Sequence, residues 1–148
     1  MSLHRHNGYW PVQISLHWLI VVLVLFQLLF GESMVAATDA AEEGTTVSGT
    51  DALLATAHYW VGISILALVA VRLVVRLRTG APAPIDRNPA FILAAKTMHW
   101  LFYALLFAVP ISGLVTVYLN PEVGEIHQLA KPVFVVLIVL HAGAALFH

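Results

Sequence analysis

Four windows without a single Asp, Glu, Lys or Arg decide what this 148-residue chain can fold into: Pro11–Phe30, Ala52–Val71, Thr97–Pro121 and Pro132–His148. A helix needs about 20 residues to cross a hydrocarbon core roughly 30 Å thick, and the first three windows meet that outright. The fourth meets it if its helix begins near Glu125 and carries Lys131 inside it. Backbone groups in lipid must find partners within their own element, so the windows are helices and not strands. The expectation is an all-α fold, a transmembrane four-helix bundle, forming a single membrane domain over residues 1–148. The spans fall at about 11–31, 52–76, 89–119 and 125–148. With 60% hydrophobic and only 10% charged residues, the chain lacks the polar surface of a soluble domain, where roughly a quarter of residues are charged. The first window exceeds the roughly 7–15 apolar residues of a signal peptide and contains Gln13, His17 and Gln27, so it reads as a retained helix. Val35–Ala41 does resemble a cleavage context.

Loop charge orients the spans. Arg72, Arg76, Arg78, Arg87 and Lys96 lie between the second and third windows, whereas Glu32, Asp39, Glu42, Glu43 and Asp51 lie between the first and second, with no Lys or Arg. The positive-inside rule puts the basic connection in the cytoplasm and both termini with it, in agreement with Arg5. The acidic connection Gly31–Thr50, rich in Gly, Ser, Thr and Ala, is expected to be a mobile outer loop. Asn88–Pro89 reads as an N-cap with proline at the first helical position, and Gly80-Ala-Pro-Ala-Pro as the break after the second span.

Cysteine is absent, which excludes disulfides, thiolate metal sites and thiol catalysis. A net charge of −1 gives no basis for binding nucleic acid. Against this polar poverty stand eight histidines. His4 and His6 precede the first span and read as exposed terminal residues; the other six lie in or at the spans. A single histidine in a helix is usually a packing residue, but six ionisable groups at membrane depth call for an interior partner.

Depth sorts them. His58 and His127 fall near the outer face; His17, His99, His141 and His148 fall in the inner half. His127 and His141 are fourteen residues apart, a rotation only about 40° short of four full turns, so both project from nearly one face about 21 Å apart. The fourth helix thus offers one imidazole to each half of the bilayer. His58 can meet His127 outside and His17 can meet His141 inside, although spacing alone leaves His99 open as an inner ligand. Two stacked bis-histidine sites suit two b haems, apolar discs whose irons take axial imidazoles from opposite sides. With both axial positions filled by protein, electron transfer is favoured over oxygen binding. Arg72 lies fourteen residues beyond His58 and is placed to pair with a propionate of the inner haem, or to snorkel as an orientation-setting charge.

The chain resembles the bacterial cytochrome b561 family of four-helix inner-membrane dihaem proteins. The matching segments are Gln13-Ile-Ser-Leu-His17-Trp18-Leu, His58-x3-Gly62-Ile-Ser-Ile-Leu and Val71-Arg72-Leu-x2-Arg76. They continue with His99-x3-Tyr103-x6-Pro110-Ile-Ser-Gly113-Leu and His127-x13-His141-Ala-x-Ala-Ala. The resemblance implies two haem b groups with axial ligands at His17, His58, His127 and His141, and makes His99 a non-ligand. It also implies electron exchange with quinone, and one branch of the family oxidises superoxide with ubiquinone as acceptor. Three departures stand out: a short outer connection Asn120–Glu125, Pro132 five residues after His127, and acidic outer loops with Lys131 as the nearby cation. A negative rim repels rather than steers the superoxide anion. The basic cytoplasmic tail that the resemblance implies is not within these 148 residues.

The expected function is that of a membrane dihaem b-type cytochrome in the bacterial inner membrane, passing electrons between the periplasmic side and the quinone pool. Its partners are then the lipid bilayer, quinone, and either superoxide or a periplasmic redox protein that it anchors. Catalytic side chains are not required, because the haem supplies the redox chemistry. A transition-metal transporter built on imidazole ligands is the alternative of another class, but the spans lack the Asp or Glu that such a path uses for charge balance. A structural bundle with incidental histidines leaves the matched depths unexplained.

Overall fold

The computed structural model describes residues 10–80 and 88–147. His4, Arg5, His6, Arg87, His148 and residues 81–84 of the expected break lie outside the described residues. Five helices follow in order: α1 (Pro11–Phe30), α2 (Glu32–Glu42), α3 (Gly49–Thr79), α4 (Pro89–Tyr118) and α5 (Val123–Phe147). Among the described residues there are no strands. Helices α1, α3, α4 and α5 are long and apolar enough to cross a membrane. The chain divides into two compact units, one holding α1–α3 and the other α4–α5.

In the first unit, α1 and α3 run antiparallel, since Gln13 at the start of α1 bonds Thr79 and Gly80 at the end of α3, while Gln27 near the end of α1 bonds His58 near the start of α3. The buried residues explain how they pack. Gln13 and Ile20 on α1, and Ala55, Ile65 and Val69 on α3, are the buried side chains of this pair, with Val69 wholly enclosed. Gln13, Ile20 and Gln27 recur every seven residues, as do Ala55, Gly62 and Val69, the signature of helices crossing at a shallow angle with side chains interlocked. Outside this seam, Trp18, Val22 and Leu29 are exposed, which suits a lipid-facing surface.

The expected mobile loop Gly31–Thr50 is corrected here: Glu32–Glu42 forms α2. Its composition explains why. Ala36, Ala37, Ala40 and Ala41 have the highest helix propensity, Glu32 complements the helix N-terminus, and the Gly, Ser and Thr residues that suggested a loop are concentrated in Gly44–Gly49. The buried hydroxyl of Ser33 donates to Asp51 Oδ1 at 2.8 Å, fastening α2 to α3. Ser48 caps α3 by accepting from the Asp51 backbone N–H at 3.1 Å, while its hydroxyl donates to Asp51 Oδ2 at 2.7 Å. Helix α3 therefore starts at Gly49, earlier than residue 52, and takes in Asp51. It ends at Gly80, whose φ of +74° favours glycine and whose N–H bonds the Arg76 carbonyl at 2.9 Å.

In the second unit, Asn88 accepts from the Ala90 N–H at 3.0 Å with Pro89 behind it, the expected start of α4. A tight turn joins α4 to α5, with Asn120 Oδ1 accepting from the Glu122 N–H and the Asn120 carbonyl from the Val123 N–H. Both helices carry an internal proline, Pro110 in α4 and Pro132 in α5, and continue through it. Tyr103 and Phe134 are buried in this unit.

Candidate functional site

Each unit carries two of the four expected ligand histidines. In the first, His17 stands on α1 and His58 on α3, at opposite ends of the antiparallel pair. Arg72 is also on α3, and its guanidinium donates to the Gln13 carbonyl at 2.6 Å. That carbonyl lies four residues before His17, the position that accepts the His17 backbone N–H in an α-helix. Arg72 is therefore one helical turn from His17 along α1 and ties the two helices at that end. Gln13 reinforces the tie, its amide donating to Thr79 Oγ1 and, at 3.3 Å, to the Gly80 carbonyl.

At the other end, the Gln27 amide donates to the His58 carbonyl at 2.9 Å. Gly62 makes this approach possible, and Gly31 lies within ordinary van der Waals range of the imidazole. A Cβ at Gly62 would come within 3.2 Å of Gln27 Nε2, and a Cβ at Gly31 would stand 3.7 Å from His58 Cε1. Gln27 Oε1 is buried and has no hydrogen-bond partner among the described residues. A buried acceptor of that kind, beside a half-buried imidazole, suits a pocket completed by a bound group.

The second unit places His127 and His141 on α5, each against a different stretch of α4. His127 Nδ1 lies 2.9 Å from the Val109 carbonyl and 3.1 Å from Ser112 Oγ. The imidazole edge fits against Gly113, where a Cβ would stand 3.0 Å from Cε1 and 3.3 Å from Nδ1. A carbonyl only accepts, so Nδ1 carries the proton and Nε2 presents its lone pair. That is the usual arrangement of a metal-ligating histidine, whose second nitrogen donates to a backbone carbonyl. His141 sits in an aromatic setting, its ring centroid 5.7 Å from His99 and 5.3 Å from Phe102, both edge-on. His99 turns Nδ1 toward the Ala95 carbonyl of its own helix at 2.7 Å. Among the described residues, no group of three or more His, Asp or Glu side chains is set to hold a bare metal ion.

Gln27, Ser112 and Gly113 are site residues to which sequence reasoning gave no role, although the first stood out as a polar residue of its span and the other two lie in a segment that carries the family resemblance. The seven-residue recurrence of Gln13, Ile20 and Gln27 was a readable sign for the first. Nothing in the sequence announces the Val109 carbonyl, since every residue has one.

Comparison with known proteins places these features in context. The family model for prokaryotic cytochrome b561 matches residues 8–148. Cytochrome b562 of Cereibacter sphaeroides is 36% identical over 146 residues, covering 97% of this chain and 89% of that protein. Cytochrome b561 homolog 1 of Escherichia coli is 28% identical over 165 residues, covering 96% of this chain and 90% of that protein. The probable superoxide oxidase CybB of Yersinia pestis is 28% identical over 114 residues, covering 76% of this chain and 60% of that protein.

Proposed function

The chain belongs to the prokaryotic cytochrome b561 family, and on that premise we propose that it binds two haem b groups and carries electrons between the periplasmic side and the quinone pool. It is a multi-pass protein of the bacterial inner membrane, and its family implies haem b. The finer reading assigns His58 and His127 to the outer haem and His17 and His141 to the inner one. Haem b, when bound, supplies a one-electron ferric/ferrous couple. The protein's own residues then have defined tasks. His127 offers Nε2 as a ligand because its Nδ1 proton is engaged by the Val109 carbonyl, and this is the observation that supports the reading most directly. Gln13 and Arg72 hold α1 against α3 one turn from His17, and Gln27 does the same beside His58.

Superoxide is the specific donor this reading names, on the strength of the Yersinia pestis relative's name, with ubiquinone as the acceptor that the family resemblance implies. Exposed Glu122 and Glu125 at the α4–α5 turn oppose it, because they repel a small anion. A periplasmic protein donor, with this chain as its membrane anchor, accommodates those charges better.

The deciding experiments use purified holoprotein. A dithionite-reduced minus oxidised spectrum is expected to show b-type α and Soret bands, with two haems per chain by pyridine haemochrome. A colourless, metal-loaded protein refutes the reading in favour of a metal transporter. Rapid reduction by superoxide in stopped flow, followed by oxidation by a soluble quinone, supports the superoxide branch; slow or absent reduction supports the protein donor.

A further inference from the structure

His127 on α5 packs its imidazole against α4. Its Nδ1 is within reach of two oxygens, the Val109 carbonyl at 2.9 Å and Ser112 Oγ at 3.1 Å. Ser112 Oγ itself lies 2.7 Å from the same carbonyl, to which it donates. The hydroxyl proton is thereby spent on Val109, so Ser112 meets His127 with a lone pair and can only accept. Two donors converge on one carbonyl, and they compete for it. Gly113 sets how close the imidazole comes, since an added Cβ would press on Cε1 at 3.0 Å and Nδ1 at 3.3 Å.

We propose that Ser112 and Gly113 are positioning residues that set, in opposite directions, how strongly His127 Nδ1–H is hydrogen-bonded, and through it the electron-donating power of Nε2 toward the outer haem. This rests on the reading of His127 as a haem ligand. A stronger bond from Nδ1–H makes the imidazole more basic, which stabilises ferric over ferrous iron and lowers the midpoint potential. Gly113→Ala pushes the ring away from Val109, weakens the bond and raises the potential. Ser112→Ala removes the shorter competing donor from the carbonyl at the cost of a longer, weaker acceptor, strengthens the Val109 bond and lowers the potential. Loss of packing alone moves both variants the same way.

The test is potentiometric titration of the full-length holoprotein, following the spectral component that His127→Ala removes. Gly113→Ala is expected to raise its midpoint, with haem retention weakened about 10–100-fold, the usual range for a disturbed ligand partner. Ser112→Ala is expected to lower it at unchanged haem content. Gly124→Ala is the packing control: its Cβ would stand 3.1 Å from Thr116 Cγ2, crowding the same helix pair one turn before His127 without meeting the imidazole, and both midpoints should stay in place. Shifts of the same sign in the Ser112 and Gly113 variants, no shift in either, or a Gly124→Ala shift matching that of Gly113→Ala each overturn the proposal. Should Gly113→Ala fail to assemble, Ser112→Ala decides alone, a lowered midpoint supporting the proposal and a raised or unchanged one overturning it. Wild-type protein that binds no haem refutes the ligand reading itself, an outcome distinct from wild-type loading with unresponsive variants.

Discussion

Replacing Arg72 with Leu separates the propionate partner that the sequence offered from the helix clamp that the structure shows. The guanidinium donates to the Gln13 carbonyl at 2.6 Å from a half-buried position at one end of the α1–α3 seam. A hydrogen bond from a charged group contributes about 1.5–3 kcal/mol net in water-soluble proteins. Interhelical polar contacts in membranes average about 0.6 and reach about 1.7 kcal/mol, because the separated helix finds other partners. For a short bond near the span's end, about 1–2 kcal/mol is the expected loss, a factor of about 5–30 in the docking equilibrium of α1 on α3. SDS unfolding in mixed micelles reads that loss directly. Arg72→Lys should recover only part of it, since an ammonium lacks the planar fork that fixes the geometry. If Arg72→Leu unfolds like the wild type but shifts the midpoint of the haem retained in His127→Ala, the clamp argument is wrong and the propionate role replaces it.

Three further outcomes follow from the same geometry. Either His58→Ala or His127→Ala should reduce the pyridine haemochrome stoichiometry from two haems per chain to one, and unchanged stoichiometry in both refutes their pairing. His99→Ala should keep two haems, since the proposed ligand set of His17, His58, His127 and His141 already supplies two imidazoles to each, while perturbing the α-band through its edge-on contact with His141; loss of a haem moves His99 into the ligand set. Ser48→Ala should cost about 1 kcal/mol at the start of α3, the ordinary loss for a removed N-cap. Faster hydrogen exchange confined to the first turn of α3 is the corresponding signal, and an unchanged rate argues that Asp51 and Ser33 hold that end without Ser48.

The spans were readable because charge is so costly in lipid that its absence marks them directly, and the Asn88–Pro89 start and Gly80 end of helices were readable because their chemistry is local. Helix α2 was missed for the converse reason. Gly44, Ser48 and Gly49 announce a loop, but they begin only after Ala-rich Glu32–Glu42 and say nothing about it. Which face of each span turns inward was harder still. Lipid is as apolar as a helix interface, so Val22 on the surface and Val69 in the seam carry the same hydrophobic signal. Only polar residues break that symmetry: Gln13, Gln27 and the histidines show the inward face because lipid would not tolerate them. The partners of His127 were illegible on other grounds, since a backbone carbonyl, a hydroxyl and the space above a glycine become a socket only when α4 and α5 are packed.

One interval recurs on each of the four long helices. Gln13 and Gln27 are fourteen residues apart, as are His58 and Arg72, His99 and Gly113, and His127 and His141. Fourteen residues bring a helix back almost to the same face after about 21 Å, which is most of a hydrocarbon core less a turn at either end. A polar group is least costly near the ends of a span and on its inward face, and this interval satisfies both conditions twice on one helix. The stretch between can then be apolar, as Ile20, Ile65 and Val69 are in the first unit. On α4 the two positions have different occupants: Gly113 gives His127 room, whereas His99 meets His141 ring to edge. The two α5 imidazoles, equivalent by sequence spacing, therefore sit in unlike surroundings, one bonded to a carbonyl and the other flanked by aromatic rings. On the proposed reading, two haems held by imidazoles in such unlike surroundings would differ in potential.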